Sequence, residues 1–111
     1  MINIIELVNL LNQVNIPLAY SHFEITESSP APSPPFMVYL EEDSTNFGAD
    51  NKVWSKLLNY SIEVYTDYKD LELEKKIEDI LDNNNIYYET TEVYIQQQNL
   101  YQRVYSITIT K

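Results

Sequence analysis

The chain predicts an α+β fold: a mostly antiparallel sheet with two helices packed on one of its faces. Three observations carry this. Residues 52–66 alternate as a strand does. Trp54, Leu58, Tyr60, Ile62 and Val64 share one parity, and Ser55, Asn59, Ser61 and Glu63 the other, interrupted by Val53, Leu57 and Tyr65. Residues 70–82 then switch to a helical period. Leu73, Ile77, Ile80 and Leu81 line one side, with Glu72, Glu74, Lys75, Lys76, Glu78 and Asp79 around the rest. Two further strand-like runs, 86–95 and 100–110, flank the polar turn Gln96-Gln-Gln-Asn99, which marks an antiparallel hairpin. Strands accompanied by helices that need a surface to cover define this fold class.

The elements follow in order. Residues 2–14 place Ile4, Leu7, Val8, Leu11 and Val14 at helical spacing, with Ile5 and Leu10 widening the stripe. Pro17 ends this helix, because the residue before a proline is pushed out of the helical region. Residues 18–25 form a short strand with Tyr20, His22 and Glu24 on one face. Pro30, Pro32, Pro34 and Pro35 make 26–35 a stiff connection. Residues 36–41 are a compact strand. The polar stretch 42–51 after it, with the chain's one glycine, Gly48, reads as a long turn or a β-arm. Phe47 on that tip either folds back on the core or reaches a partner surface. Asp70 is positioned to cap the second helix, and Asn83-Asn-Asn85 to terminate it, since Asn tolerates the left-handed conformation. The strand 52–66, the helix 70–82 and the strand 86–95 form a crossover unit.

Composition bounds the chemistry. With 111 residues and 44% hydrophobic content, the chain is read as one domain, residues 1–111, with a modest core. It has no cysteine and one histidine, His22, so thiolate chemistry and most zinc patterns are excluded. One glycine cannot build a phosphate loop, and no serine sits in a nucleophile elbow. The expectation is a protein that is not an enzyme and holds no cofactor or metal. No apolar run reaches the roughly 20 residues of a membrane span, and the N-terminus lacks a signal-peptide pattern, so the cytoplasm is the expected site of synthesis. The net charge is −10 with only 7 Lys and Arg, too few to clamp a nucleic-acid backbone.

The segments Pro35-Phe-Met-Val-Tyr-Leu40, Asn46-Phe-Gly-Ala-Asp-Asn-Lys-Val-Trp54 and Tyr60-Ser-Ile-Glu-Val-Tyr-Thr-Asp67, then the acidic helix and residues 101–109, carry a resemblance. In this order they resemble the small tail-terminator (tail-completion) proteins of long-tailed bacteriophages and prophages of low-GC Gram-positive bacteria. The resemblance implies a virion structural protein of the tail and neck, assembled in the host cytoplasm. Its partners would be copies of itself in a ring, usually a hexamer, the tail-tube protein below and a head connector or stopper protein above. DNA would pass through without specific binding, and no membrane is involved. A ring needs one patch to meet a different patch on the next subunit. Phe47, Lys52, Trp54 and Lys56 are the expected interface residues, on the loop and the outer end of the long strand. Another head–tail neck protein is the nearest alternative. An acidic DNA mimic or inhibitor of a basic enzyme is an alternative of a different class.

Overall fold

A computed structural model of the chain describes the backbone of residues 1–49 and 52–110, and the side chains of 1–43 and 56–110. The elements run α1 (Ile4–Asn12), β1 (Leu18–Tyr20), β2 (Phe36–Ala49), β3 (Lys52–Thr66), α2 (Leu71–Asn83), β4 (Tyr88–Ile95) and β5 (Leu100–Thr110). The five strands form one sheet in the order β1-β2-β3-β5-β4. Only β1 and β2 pair in parallel. The α+β class, the mostly antiparallel sheet and the two covering helices are therefore as the sequence predicts. β3 and β4 are both antiparallel to β5, which lies between them, so the β3-α2-β4 unit is a crossover split by the strand that follows it.

The alternation in β3 creates the core. Tyr60, Ile62 and Val64 are buried, and Tyr105, Ile107 and Ile109 of β5 and Met37 of β2 share their face. α1 covers one part of this face with Leu7, Leu11 and Val14. α2 covers the rest with Leu73, Ile77 and Leu81, and all of these belong to one apolar cluster. Leu10 packs partly against the cluster, but Ile5 is 70% exposed and does not widen the buried stripe as expected. The two helices are also tied directly. Lys76 Nζ donates to the Val14 carbonyl at 3.0 Å, so α2 lends a cation to the C-terminal end of α1, whose own last turn has none.

Capping residues set the helix limits within two residues of the predicted ones. Asn3 accepts from the Glu6 amide, and Glu6 accepts from the Asn3 amide, a reciprocal capping box that starts α1 at Ile4. Asp70 caps α2 through the Leu73 amide at 3.1 Å, as expected. At the other end Asn85 takes φ 56°. Its amide donates to the Asp82 carbonyl, and the Ile86 amide donates to the Leu81 carbonyl. This is a Schellman closure with its apolar contact between Ile86 and Leu81 inside the core cluster.

One stretch departs from the sequence reading. The strand expected over 18–25 stops at Tyr20, because Ser21 turns to φ 66°. Its amide bonds the Tyr39 carbonyl, and the His22 amide folds back on Tyr20. The chain beyond then lies over the second face of the sheet, where Phe23 meets Phe36 edge-on and Phe36 stacks on Tyr65 at 5.1 Å. Pro32 closes a cavity of about 270 Å³ there with Phe23, Val38 and Tyr65. His22 is exposed beside Glu24 at 3.3 Å, as a surface residue. Of the two readings of the polar stretch after Glu41, long turn or β-arm, the second holds: it is strand as far as Ala49, paired with β3 down to Lys52.

Candidate functional site

The β2–β3 hairpin outgrows the sheet that supports it. β5 pairs with β3 only from Leu57 onward, and β1 pairs with β2 only as far as Tyr39. Residues 46–49 and 52–56 therefore continue as a two-stranded arm, with register irregularities between Glu41 and Asp43 at its root and between Phe47 and Gly48 within it. Bulges of this kind bend and twist a ribbon away from its sheet. The molecule is correspondingly long, with extents of 51 × 31 × 25 Å. Its radius of gyration is 15.5 Å, against about 13 Å for a compact chain of this size.

A ladder of side chains braces the root of the arm. Ser61 Oγ donates to Glu42 at 2.7 Å, and Asn59 Nδ2 donates to Asp43 at 2.6 Å. Thr108 Oγ1 donates to Asn59 Oδ1 at 2.8 Å, so the brace spans β2, β3 and β5. Beside it opens a recess of about 770 Å³ walled by Glu42, Asp43, Asn59, Asn85 and Glu89. The wall is acidic and hydrogen-bonded. Among the described residues no group of His, Asp and Glu is arranged to hold a metal ion.

Of the residues expected at an interface, Lys56 is exposed at the root of the arm. Phe47 lies in β2, and Lys52 and Trp54 in β3, on the arm itself. Their side chains lie outside the described residues. Backbone register pairs Phe47 with Ser55 and Lys56 with Asn46.

A second cluster was missed by the sequence reading. Arg103 of β5 reaches Glu74 at 3.3 Å, Glu78 at 3.4 Å and Glu92 at 3.8 Å. Lys69 bonds Glu74 at 2.7 Å and Glu92 at 2.8 Å. Tyr105, fully buried, donates its hydroxyl to Glu78 at 2.7 Å. The signal was parity. Arg103 shares the core-facing register of Tyr105 and Ile107, opposite Val64.

Buried phenols give this region a pH signature. Burial, reinforced by Glu78, pushes Tyr105 well above the ordinary tyrosine range. Burial and the bond to Glu63 push Tyr65 up from 10.0 to about 12. Both ionise more readily in the unfolded chain, so their stabilising effect is complete below the unfolded value and is lost as pH rises through the folded values. Unfolding is expected to set in above about pH 10. Loss of circular dichroism should then coincide with the last rise in tyrosinate absorbance. A chain that keeps its circular dichroism while all 10 tyrosines ionise contradicts this.

No family model and no curated protein matches the chain. A solved structure does. The fold superposes on a chain of the virion of a native gene transfer agent particle with a TM-score of 0.58. The match covers 94% of this chain and 82% of that one. At 10% identity the likeness is one of fold. With only 6% of the chain left uncovered, less than the long hairpin occupies, the match extends into that hairpin.

Proposed function

We propose that this chain is a virion structural protein that closes the end of a phage tail tube as a ring and presents the joining surface for the head. The observation that carries the reading is the fold shared, over nearly its full length, with a chain of a virion particle. The tail-terminator resemblance of residues 35–67 and 101–109 supports the finer assignment. The arm supports assembly, because a hairpin that leaves its own sheet offers contact surface to a neighbour. The acidity fits a DNA conduit. At −10 per copy, a ring with carboxylates toward its bore repels the DNA backbone, so DNA passes without sticking. The partners are then further copies of this chain, the tail-tube protein and a head connector, in the virion.

Particles assembled without this chain test the reading. Overlong tails, separated from heads, are expected in negative-stain images. Tails of normal length that merely lack heads would move the chain to the connector side of the neck. Normal, headed tails would end the proposal.

A further inference from the structure

β4 is an edge strand, paired with β5 alone in the described sheet. Glu89 to Tyr94 are all exposed, and the ends, Tyr88 and Ile95, are half-buried. β5 differs, with Tyr105, Ile107 and Ile109 buried in the core cluster. β4 thus adds a ladder to the sheet but no buried side chain. Apolar burial is the dominant favourable contribution to a fold. A segment that lacks it opens at a lower free energy than the whole molecule.

Rings and one carboxylate tie β4 to the body. Tyr88 meets Tyr105 at 5.5 Å, and Tyr94 meets Tyr101 at 4.9 Å. Between these rings Glu92 turns inward. Its carboxylate accepts from Lys69 Nζ at 2.8 Å and faces Arg103 at 3.8 Å. Both cations are also held by α2. Glu74 bonds Lys69 at 2.7 Å and Arg103 at 3.3 Å, and Glu78 lies 3.4 Å from Arg103. The seat for the Glu92 carboxylate is therefore built from α2, β5 and the segment before α2, and stays assembled without β4.

Both ends of the strand are anchored. Ile86 belongs to the core cluster, and its amide donates to the Leu81 carbonyl at 2.9 Å. The turn 96–99 closes on itself, with the Gln98 amide on the Ile95 carbonyl at 3.1 Å and Asn99 at φ 53°.

We infer that β4 is a charge-latched flap. It opens from β5 as one unit, between Ile86 and the turn, and Glu92 in its seat of Lys69 and Arg103 is the latch. Opening bares the Leu100–Ile107 edge of β5, a row of N–H and C=O groups that a closed β4 keeps paired. The device is independent of the proposed capping role.

Hydrogen exchange on the full chain, followed residue by residue by NMR at low salt and at 1 M NaCl, tests it. At low salt the amides of β4 should be at least about tenfold less protected than those of β3. Salt should then act on the two strands in opposite directions. Screening relieves the self-repulsion of a chain at −10, so β3 gains protection. At about 1 M the screening length falls to about 3 Å, so the latch weakens and β4 loses protection about threefold. Glu92→Gln should cost β4 about fivefold in protection at low salt and abolish its loss on adding salt. β3 and the circular dichroism should stay as in wild type. Glu89→Gln, exposed on the opposite face of the same strand, should leave β4 unchanged. Protection of β4 equal to that of β3 overturns the inference. So does a salt effect that survives Glu92→Gln, or an equal loss in Glu89→Gln and Glu92→Gln.

Discussion

Ile62→Ala is expected to destabilise the chain by about 2–5 kcal/mol, the range for truncating a fully buried aliphatic. Ile62 has no exposed surface and sits mid-strand in β3, the middle of the sheet. Its register partners are Tyr39 of β2 and Tyr105 of β5, and helices cover the same face. A cavity there has rings and strands on every side, and none of them can collapse without disturbing the ladder. A domain of this size has about 5–15 kcal/mol in total. At roughly 4–8 °C per kcal/mol the midpoint of thermal unfolding should fall by about 8–40 °C. Val93→Ala, at an exposed site on β4, should move it by no more than about 0.5 kcal/mol. Equal shifts for the two would mean that the core is not centred on β3.

The difference between these two sites was readable in the sequence, and the reason is burial on one face only. β3 and β5 each show one apolar side to helices and one polar side outward, so the period of two is written into their residues. α2 is legible for the matching reason, and Asp70 and Asn85 punctuate it where their side-chain chemistry requires. The arm was harder to see. Residues 42–49 are held by pairing to β3 and by side-chain bonds at their root, such as Asp43 to Asn59. Glu42-Asp-Ser-Thr-Asn46 carries no apolar alternation, so turn and β-arm were both open there. The strand end at Ser21 was hidden differently. It depends on a left-handed serine, a conformation that residue type does not announce. Arg103 was hidden because a cation in core register is expected outside, and its partners Glu74, Glu78 and Glu92 come from two other elements.

Arg103→Met should therefore destabilise by more than a surface charge does, by about 2 kcal/mol. Breaking a buried ion pair costs about 3–5 kcal/mol, because the remaining charge is stranded. Exposed pairs are worth about 0–1 kcal/mol. The Arg103 side chain is 20% exposed, and those of its carboxylate partners 15–28%, so water screens part of the effect. Without Arg103, Glu74 and Glu92 keep Lys69, and Glu78 keeps the Tyr105 hydroxyl but no cation among the described residues. Tyr105 also loses the N–H that Arg103 directs at its hydroxyl, at 3.0 Å. Adding Glu78→Gln to Arg103→Met should return part of the loss, since it removes one of the stranded charges, and salt should narrow the gap to wild type. Independent, additive losses would show that the two side chains do not act together. The position of the damage matters as much as its size. Most β4 side chains face solvent, and Glu92 and Tyr88 are its inward ties to the body. Glu92 binds β4 to the β5 cation and, through Lys69, to the start of α2. Hydrogen exchange in Arg103→Met is expected to quicken first along Tyr88–Ile95, while β3 keeps its protection. That would separate an edge strand held by charge from a sheet held by its core.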